Sequence, residues 1–254
     1  MNLLRLALGF VAAALAGAGV AAAQPYIPIP DLVAPYLGVG EPGLYPGGSN
    51  APTGAHLTYG QTRAAAVTPR DSAGNPDADG WIGLVYLGMS NCNQEGSRFE
   101  READRFGEHA GRVVIVDAAK GGIDAFLMDE ASDAYWTAFD QRLAAAGVDP
   151  DQVQVAWFEN TQASEATSGN FPARIDALRA AYRGVILTLT ARCPNLQLVF
   201  LTSRSWTPAT ARQTFAFETG FAMKGLIQDQ LDDVDGLGSG PWLGWGPYTW
   251  ADGP

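Results

Sequence analysis

The sequence is poor in basic residues, cysteine and histidine, and each scarcity excludes a class of function. Its 254 residues include 16 lysines and arginines against 27 aspartates and glutamates, which gives a net charge of -11. Phosphate backbones and anionic lipid surfaces repel such a chain, so we expect neither nucleic acid nor a charged membrane as a partner. The two cysteines and two histidines show no metal-ligand spacing, and no phosphate-binding or dinucleotide glycine motif is present. We therefore expect no cofactor and no metal.

Long hydrophobic runs are also missing, except at the start of the chain. Residues 1–23 contain Arg5, an apolar stretch over 6–20 and three alanines before Gln24. This pattern is typical of a Sec-type signal peptide cleaved after Ala23. A retained anchor is the alternative, but the stretch is rich in Ala and Gly and short for a membrane span. We predict a secreted or periplasmic protein with no membrane span after cleavage.

The remaining chain divides into two parts. Residues 24–80 are rich in Pro and Gly and show little periodicity, so we predict an arm that becomes ordered by docking. His56 lies in this arm, and its neighbours supply no partners for a catalytic or metal role. Residues 81–254 are predicted to form one α/β domain with an incomplete C-terminus.

Within 81–254, short apolar strands alternate with helices. Strands are predicted at 82–87, 112–117, 153–158 and 196–201, and helices from Ser97, over 126–146, from Asn170 and over 209–231. Repeated β-α units with right-handed crossovers predict a parallel sheet with helices on both faces and the strand order 2-1-3-4. Cys92 and Cys193 would then lie at opposite edges, roughly 20 Å apart, which is too far for a disulfide.

Polar or glycine residues follow each predicted strand. They include Ser90 after the first strand, Gly122 after the second and Asn160 after the third. The carboxyl ends of parallel strands share one edge, where α/β folds bind ligands. A serine nucleophile with amide donors around it is what acyl transfer requires. Taken alone, however, Ser90 is more typical of a turn serine that bonds its own backbone.

On these residues the chain resembles the SGNH/GDSL hydrolase superfamily, whose blocks run Ser, Gly, Asn and Asp-x-x-His. The stretch Gly88-Met89-Ser90-Asn91 is similar to the G-x-S-N variant found in carbohydrate acetylesterases. The resemblance implies a three-layer α/β/α sandwich with a parallel flavodoxin-like sheet. It also implies an esterase of the carboxylic ester hydrolase class, acting on O-acyl esters of a carbohydrate or another small molecule.

The resemblance assigns site residues as well. It implies that Ser90 is the nucleophile, Gly122 a backbone oxyanion donor and Asn160 a side-chain donor. Gly121 and Gln162 are the alternatives for the two donors.

The Asp-x-x-His block is not found. No histidine follows His109, and no third residue follows Asp252 in the required position. The resemblance therefore implies a chain that lacks its general base and is impaired as an enzyme. His109 is predicted at the far end of the helix that leads away from Ser90, so it does not replace that base.

Two interpretations from another class stay open. In the first, the protein is a noncatalytic exported module that binds a carbohydrate or another ligand on the same fold. Alternatively, an aromatic cluster stacks sugars, although clusters at a chain end more often pack. The cluster consists of Trp242, Trp245, Tyr248 and Trp250. The sequence predicts neither the acyl group nor the oligomeric state.

Overall fold

The computed structural model describes residues 26–107, 111–163, 171–206, 208 and 214–251. The strands are β1 (Ile82–Gly88), β2 (Val113–Asp117), β3 (Val153–Glu159), β4 (Leu198–Leu201) and β5 (Trp242–Trp245). The α-helices are α1 (Gly54–Ala65), α2 (Ser90–Phe106), α3 (Ala134–Ala145), α4 (Ala173–Arg192) and α5 (Phe215–Leu231). The predicted signal peptide and the predicted helix starts at Asn170 and Ala209 lie outside the described residues.

The strands form one parallel sheet in the order β2-β1-β3-β4-β5. The predicted α/β class and the order of the first four strands are confirmed. β1 lies between β2 and β3, and its continuous apolar run matches a strand that is covered on both faces. β5 pairs with β4 but was not predicted, because its four residues include a glycine and no alternation.

Helices cover both faces, which gives three layers. On one face Val85, Phe158 and Leu201 are fully buried in a core that also takes the apolar sides of α3, α4 and α5. On the other face Tyr86 and Trp157 pack with Cys92 of α2. This division follows from the alternation of side chains along each strand.

Two helices begin at residues other than those predicted. α2 starts at Ser90, so Ser97 is inside the helix and its capping pattern is not used. α3 starts at Ala134 after a short 3-10 turn over Ala125–Leu127, not at Phe126. The sequence pattern did not separate these two elements because both are apolar.

Glycines in α5 serve close packing and do not interrupt the helix. A β-carbon on Gly220 would lie 2.4 Å from Cδ1 of Ile29, and one on Gly225 would lie 2.8 Å from Cδ of Arg179. In α4 the predicted apolar stripe is buried, including Leu178, Tyr182, Val185 and Leu189.

The segment before β1 contains α1, and its residues Ile29, Tyr36, Leu44 and Tyr45 are buried in the main core. Tyr36 stacks on Phe217 of α5 at a ring distance of 3.8 Å. A β-carbon on Gly60 of α1 would lie 2.7 Å from the indole ring of Trp242. α1 was not predicted, because its buried residues are only His56 and Gly60 and these form no apolar stripe.

Of the four aromatic residues after α5, Trp242 and Trp245 are buried, whereas Tyr248 and Trp250 are partly buried. Trp242 and Trp245 are each 8% exposed, and their indole N–H groups donate to the carbonyls of His56 and Leu44. Trp250 stacks on Trp206 at 4.7 Å. Packing therefore occupies much of these rings, and the interpretation as a sugar-stacking platform stays a prediction.

Cys92 and Cys193 are both buried as free thiols. Across the described ranges, no helix has the combined length and apolar character needed to cross a membrane.

Candidate functional site

Ser90 occupies the first position of α2, directly after β1 and Met89. The turn over residues 88–91, here called the Ser90 turn, depends on Gly88. A β-carbon there would lie 1.7 Å from the carbonyl oxygen of Glu159 in β3. The Ser90 side chain is exposed. An accessible hydroxyl thus stands at a helix N-terminus, where free N–H groups and the helix dipole favour negative charge.

Gly121 lies beside Ser90. After β2 the chain continues along β1, since the N–H of Lys120 donates to the carbonyl of Gly88 at 2.8 Å. A β-carbon on Gly121 would stand 3.8 Å from Cβ of Ser90, whereas one on Gly122 would meet no heavy atom within 4 Å. Gly122 has a φ of 79°, the positive value that a tight turn requires. Of the two alternatives, Gly121 is the one placed against the serine.

Asn160 follows β3 at the same sheet edge, and its side chain is 2% exposed. Its Nδ2 donates to Sδ of Met128 at 3.1 Å and to the carbonyl of Ile123 at 3.4 Å. Its Oδ1 accepts the N–H of Thr161 at 2.7 Å. Ser90, Gly122 and Asn160 therefore share one edge, but the Asn160 amide holds the 123–128 segment. The alternative donor, Gln162, is 1% exposed.

Polar side chains that the sequence analysis did not single out surround the Ser90 turn. Arg204 donates from Nη1 to Oδ1 of Asn91 at 2.5 Å. The Ser205 hydroxyl donates to Oε1 of Glu95 at 3.2 Å. Glu159 is 3% exposed. In the sequence, the signal that could have identified Glu159 is its charge at the end of an otherwise largely apolar strand.

Burial controls the protonation of the two carboxyl groups. Burial, helped by the nearby Glu95, raises the pKa of Glu159 to about 8, although Arg204 acts in the opposite direction. Burial also raises the pKa of Glu95, against the hydrogen bond from Ser205 and the charge of Arg204. At neutral pH the Glu159 carboxyl is therefore mostly protonated.

Two concave regions adjoin this cluster. A narrow crevice beside the Ser90 turn is lined by Met89, Asn91, Glu159, Asn160, Thr161 and Arg204. Further along the α2 face of the sheet, an apolar groove of about 410 Å³ is lined in part by Phe99, Trp157 and Phe200. The crevice is polar, and the groove is aromatic.

Among the described residues, His56 is the only histidine. It lies at the edge of the sheet opposite to Ser90. Its ring is 5.4 Å from that of Trp242, which begins β5, whereas Ser90 follows the end of β1. β1 has 7 residues, so it separates these two edges by roughly 20 Å. Burial lowers the pKa of His56. His109 and Asp252 lie outside the described residues.

Comparisons with known proteins give distant similarities. No family model and no curated protein matches the sequence. A proposed acylhydrolase from Bacteroides fragilis is 10% identical with a TM-score of 0.38, over 79% of this chain and 78% of that one. A carbohydrate esterase whose active site has catalytic and non-catalytic binding functions is 13% identical with a TM-score of 0.35, over 68% of this chain and 59% of that one.

A yeast methylglyoxal/isovaleraldehyde reductase in complex with NADPH is 12% identical with a TM-score of 0.34, over 66% of this chain and 57% of that one. The chain thus spans less than two thirds of the reductase and of the carbohydrate esterase. These similarities are too distant to assign an activity.

Proposed function

We propose that this protein is an exported serine ester hydrolase of SGNH type that acts on O-acyl esters, with Ser90 as nucleophile. One observation carries the proposal: an exposed serine opens α2 at the carboxyl edge of the sheet, with Gly121 directly beside it. Backbone N–H groups at such a position can stabilise the oxyanion that forms during acyl transfer.

The reaction follows from this arrangement. Oγ of Ser90 attacks the ester carbonyl carbon, and the carbonyl oxygen becomes an oxyanion facing the N–H groups of the turn. Collapse of this intermediate releases the alcohol and leaves an acyl group on Ser90, which water then removes. By the resemblance to carbohydrate acetylesterases, we propose a short acyl group such as acetyl, on a carbohydrate or another small alcohol.

The serine proton passes to water during the attack, and the departing alkoxide takes a proton from water. Within the described part of the chain, the imidazole available is that of His56, which lies at the other edge of the sheet. We therefore propose a slow reaction in which the oxyanion site supplies the residual rate enhancement, as it does when a triad member is removed.

The proposed function is tested by hydrolysis of p-nitrophenyl acetate and an acetylated sugar. Wild type should release product slowly but above buffer, and Ser90→Ala should abolish this rate. Ser97→Ala, in the same helix, is the matched control and should leave it unchanged. An undiminished rate in Ser90→Ala would contradict the proposal. A fast rate that depends on Ser90 would show that another base operates.

A noncatalytic ligand-binding protein is the second candidate, and the apolar groove favours it. Its volume of about 410 Å³ lies in the usual range for small-molecule sites. Its aromatic residues Phe99, Trp157 and Phe200 offer flat surfaces for a ring. Calorimetric titration with p-nitrophenyl glycosides should show binding that Trp157→Ala removes and Trp81→Ala retains. Binding of this kind without any acyl release would favour the second candidate.

We also propose export, based on the pattern in residues 1–23, and a small-molecule or carbohydrate ester as the partner. N-terminal sequencing of the protein secreted by a bacterial host should start at Gln24. A mature chain that still begins at Met1 would contradict this proposal.

A further inference from the structure

Glu159 carries its carboxyl group inside the protein at the level of the Ser90 turn. It pairs in register with Gly88, and its side chain is 3% exposed. Its Oε2 is buried without a hydrogen-bond partner among the described residues. An ionised carboxyl in such a place is unfavourable, so the group favours its neutral form.

The groups that face Glu159 come from three elements. α2 contributes Cys92 and Glu95, the segment after β4 contributes Arg204, and α4 contributes Tyr182. Of these, Arg204 is the cation, and it already donates to Asn91 at 2.5 Å. A negative charge on Glu159 would therefore lie near the Glu95 carboxyl and the weakly acidic Cys92 and Tyr182. The cation near it, Arg204, is already hydrogen-bonded to Asn91.

We propose that Glu159 is a positioning residue of the Ser90 site whose neutral carboxyl permits acyl transfer and whose ionisation slows it. The inference rests on the proposed hydrolase function. Glu159 lines the same crevice as Met89 and Asn91, the two residues that flank Ser90. A buried negative charge there opposes the negative charge that develops on the ester oxygen.

The proton on Glu159 is lost on the alkaline side of neutrality. Burial and Glu95 raise the pKa of this carboxyl to about 8, whereas an exposed glutamate has a pKa of about 4.3. The switch therefore predicts a loss of Ser90 reactivity centred near pH 8. An ordinary surface carboxyl does not produce a loss at that pH.

The test compares wild type with Glu159→Gln between roughly pH 6 and pH 9.5. The readout is the release of p-nitrophenol from p-nitrophenyl acetate, after subtraction of the Ser90→Ala rate at each pH. Glutamine has nearly the same shape and never ionises. The Glu159→Gln rate divided by the wild-type rate should rise from about 1 to about 10 across this range. A tenfold change in rate corresponds to one pKa unit of interaction.

Two further variants complete the test. Glu102→Gln alters a carboxylate in the largely exposed pair with Arg98, so its ratio to wild type should stay near 1. Glu95→Gln removes the neighbouring carboxyl that raises the pKa of Glu159, so the midpoint of the alkaline loss should move to lower pH. This second variant keeps the test decisive if Glu159→Gln does not fold.

The outcomes separate the two proposals. A constant ratio for Glu159→Gln, or a midpoint that Glu95→Gln does not move, overturns the role of Glu159, while a Ser90-dependent rate still supports hydrolysis. If Ser90→Ala equals wild type at every pH, the proposed function is itself wrong, and the role of Glu159 fails with it.

Discussion

Gly88 and Glu159 are in backbone contact: a β-carbon at position 88 would lie 1.7 Å from the carbonyl oxygen of Glu159. This contact joins the Ser90 turn to the residue that precedes Asn160. The position of Ser90 relative to the end of β3 is therefore set by backbone contact between two strands and does not depend on flexible side chains.

Gly88→Ala should consequently be strongly destabilising. The methyl group would force β1 and β3 apart at the site, and overpacking of this kind costs about 3 kcal/mol or more. Urea unfolding gives the free energy of unfolding directly. Gly111→Ala is the control, since a β-carbon there meets nothing within 4 Å and should change stability by less than about 0.5 kcal/mol. Equal effects of the two substitutions would contradict the contact.

Glu159 should make the protein less stable as the pH rises. Its folded-state pKa is raised from the ordinary 4.5 to about 8, so between these values the folded state holds a proton that the unfolded state has lost. Stability then falls with rising pH by about 3 to 5 kcal/mol in total and levels off above pH 8 or so. The difference in unfolding free energy between wild type and Glu159→Gln should change over this window. Parallel curves would contradict the shift.

His56 should titrate below its ordinary value. Burial lowers its pKa from 6.5, and its Nε2 has no hydrogen-bond partner among the described residues. The stability contributed by the neutral ring is present above pH 6.5 or so and is lost as the pH falls toward the folded-state pKa. NMR titration of the ring protons, with His109→Ala to assign the two histidines, measures the midpoint. A midpoint at or above 6.5 would rule out the shift.

Arg174 and Glu218 form a buried ion pair, 3% and 1% exposed, at 2.8 Å. Arg174→Met leaves the Glu218 charge buried without this partner, which costs about 3 to 5 kcal/mol. Arg98 pairs with Glu102 at 2.6 Å, with Arg98 67% exposed. Arg98→Met is therefore the matched control and should cost less than about 1 kcal/mol. Comparison of the two variants by urea unfolding checks the prediction, and similar losses would contradict it.

The sequence predicted those parts of the fold that leave a repeating pattern. The apolar runs of β1 and β3 and the stripe of α4 have clear periods, and they led to the confirmed strand order. Ser90 and Gly121 were recognised as candidates because strand ends carry polar residues and glycines.

The remaining features depend on tertiary contacts. α1 buries His56 and Gly60 against Trp242, and such a contact has no period in the sequence. The start of α2 at Ser90 depends on the approach of Gly88 to Glu159, which joins distant parts of the chain. For the same reason, the neutral carboxyl of Glu159 follows from its burial, which its charge in the sequence does not reveal.

Acyl-adduct mapping distinguishes a nucleophilic Ser90 from a turn serine. The folded protein is incubated with p-nitrophenyl acetate, digested and analysed by mass spectrometry at several times. We expect an acetyl group on Ser90 that forms faster than on the exposed Ser72 and is absent from Ser90→Ala. Acetylation of Ser72 at an equal rate, or no adduct on Ser90, would contradict the account.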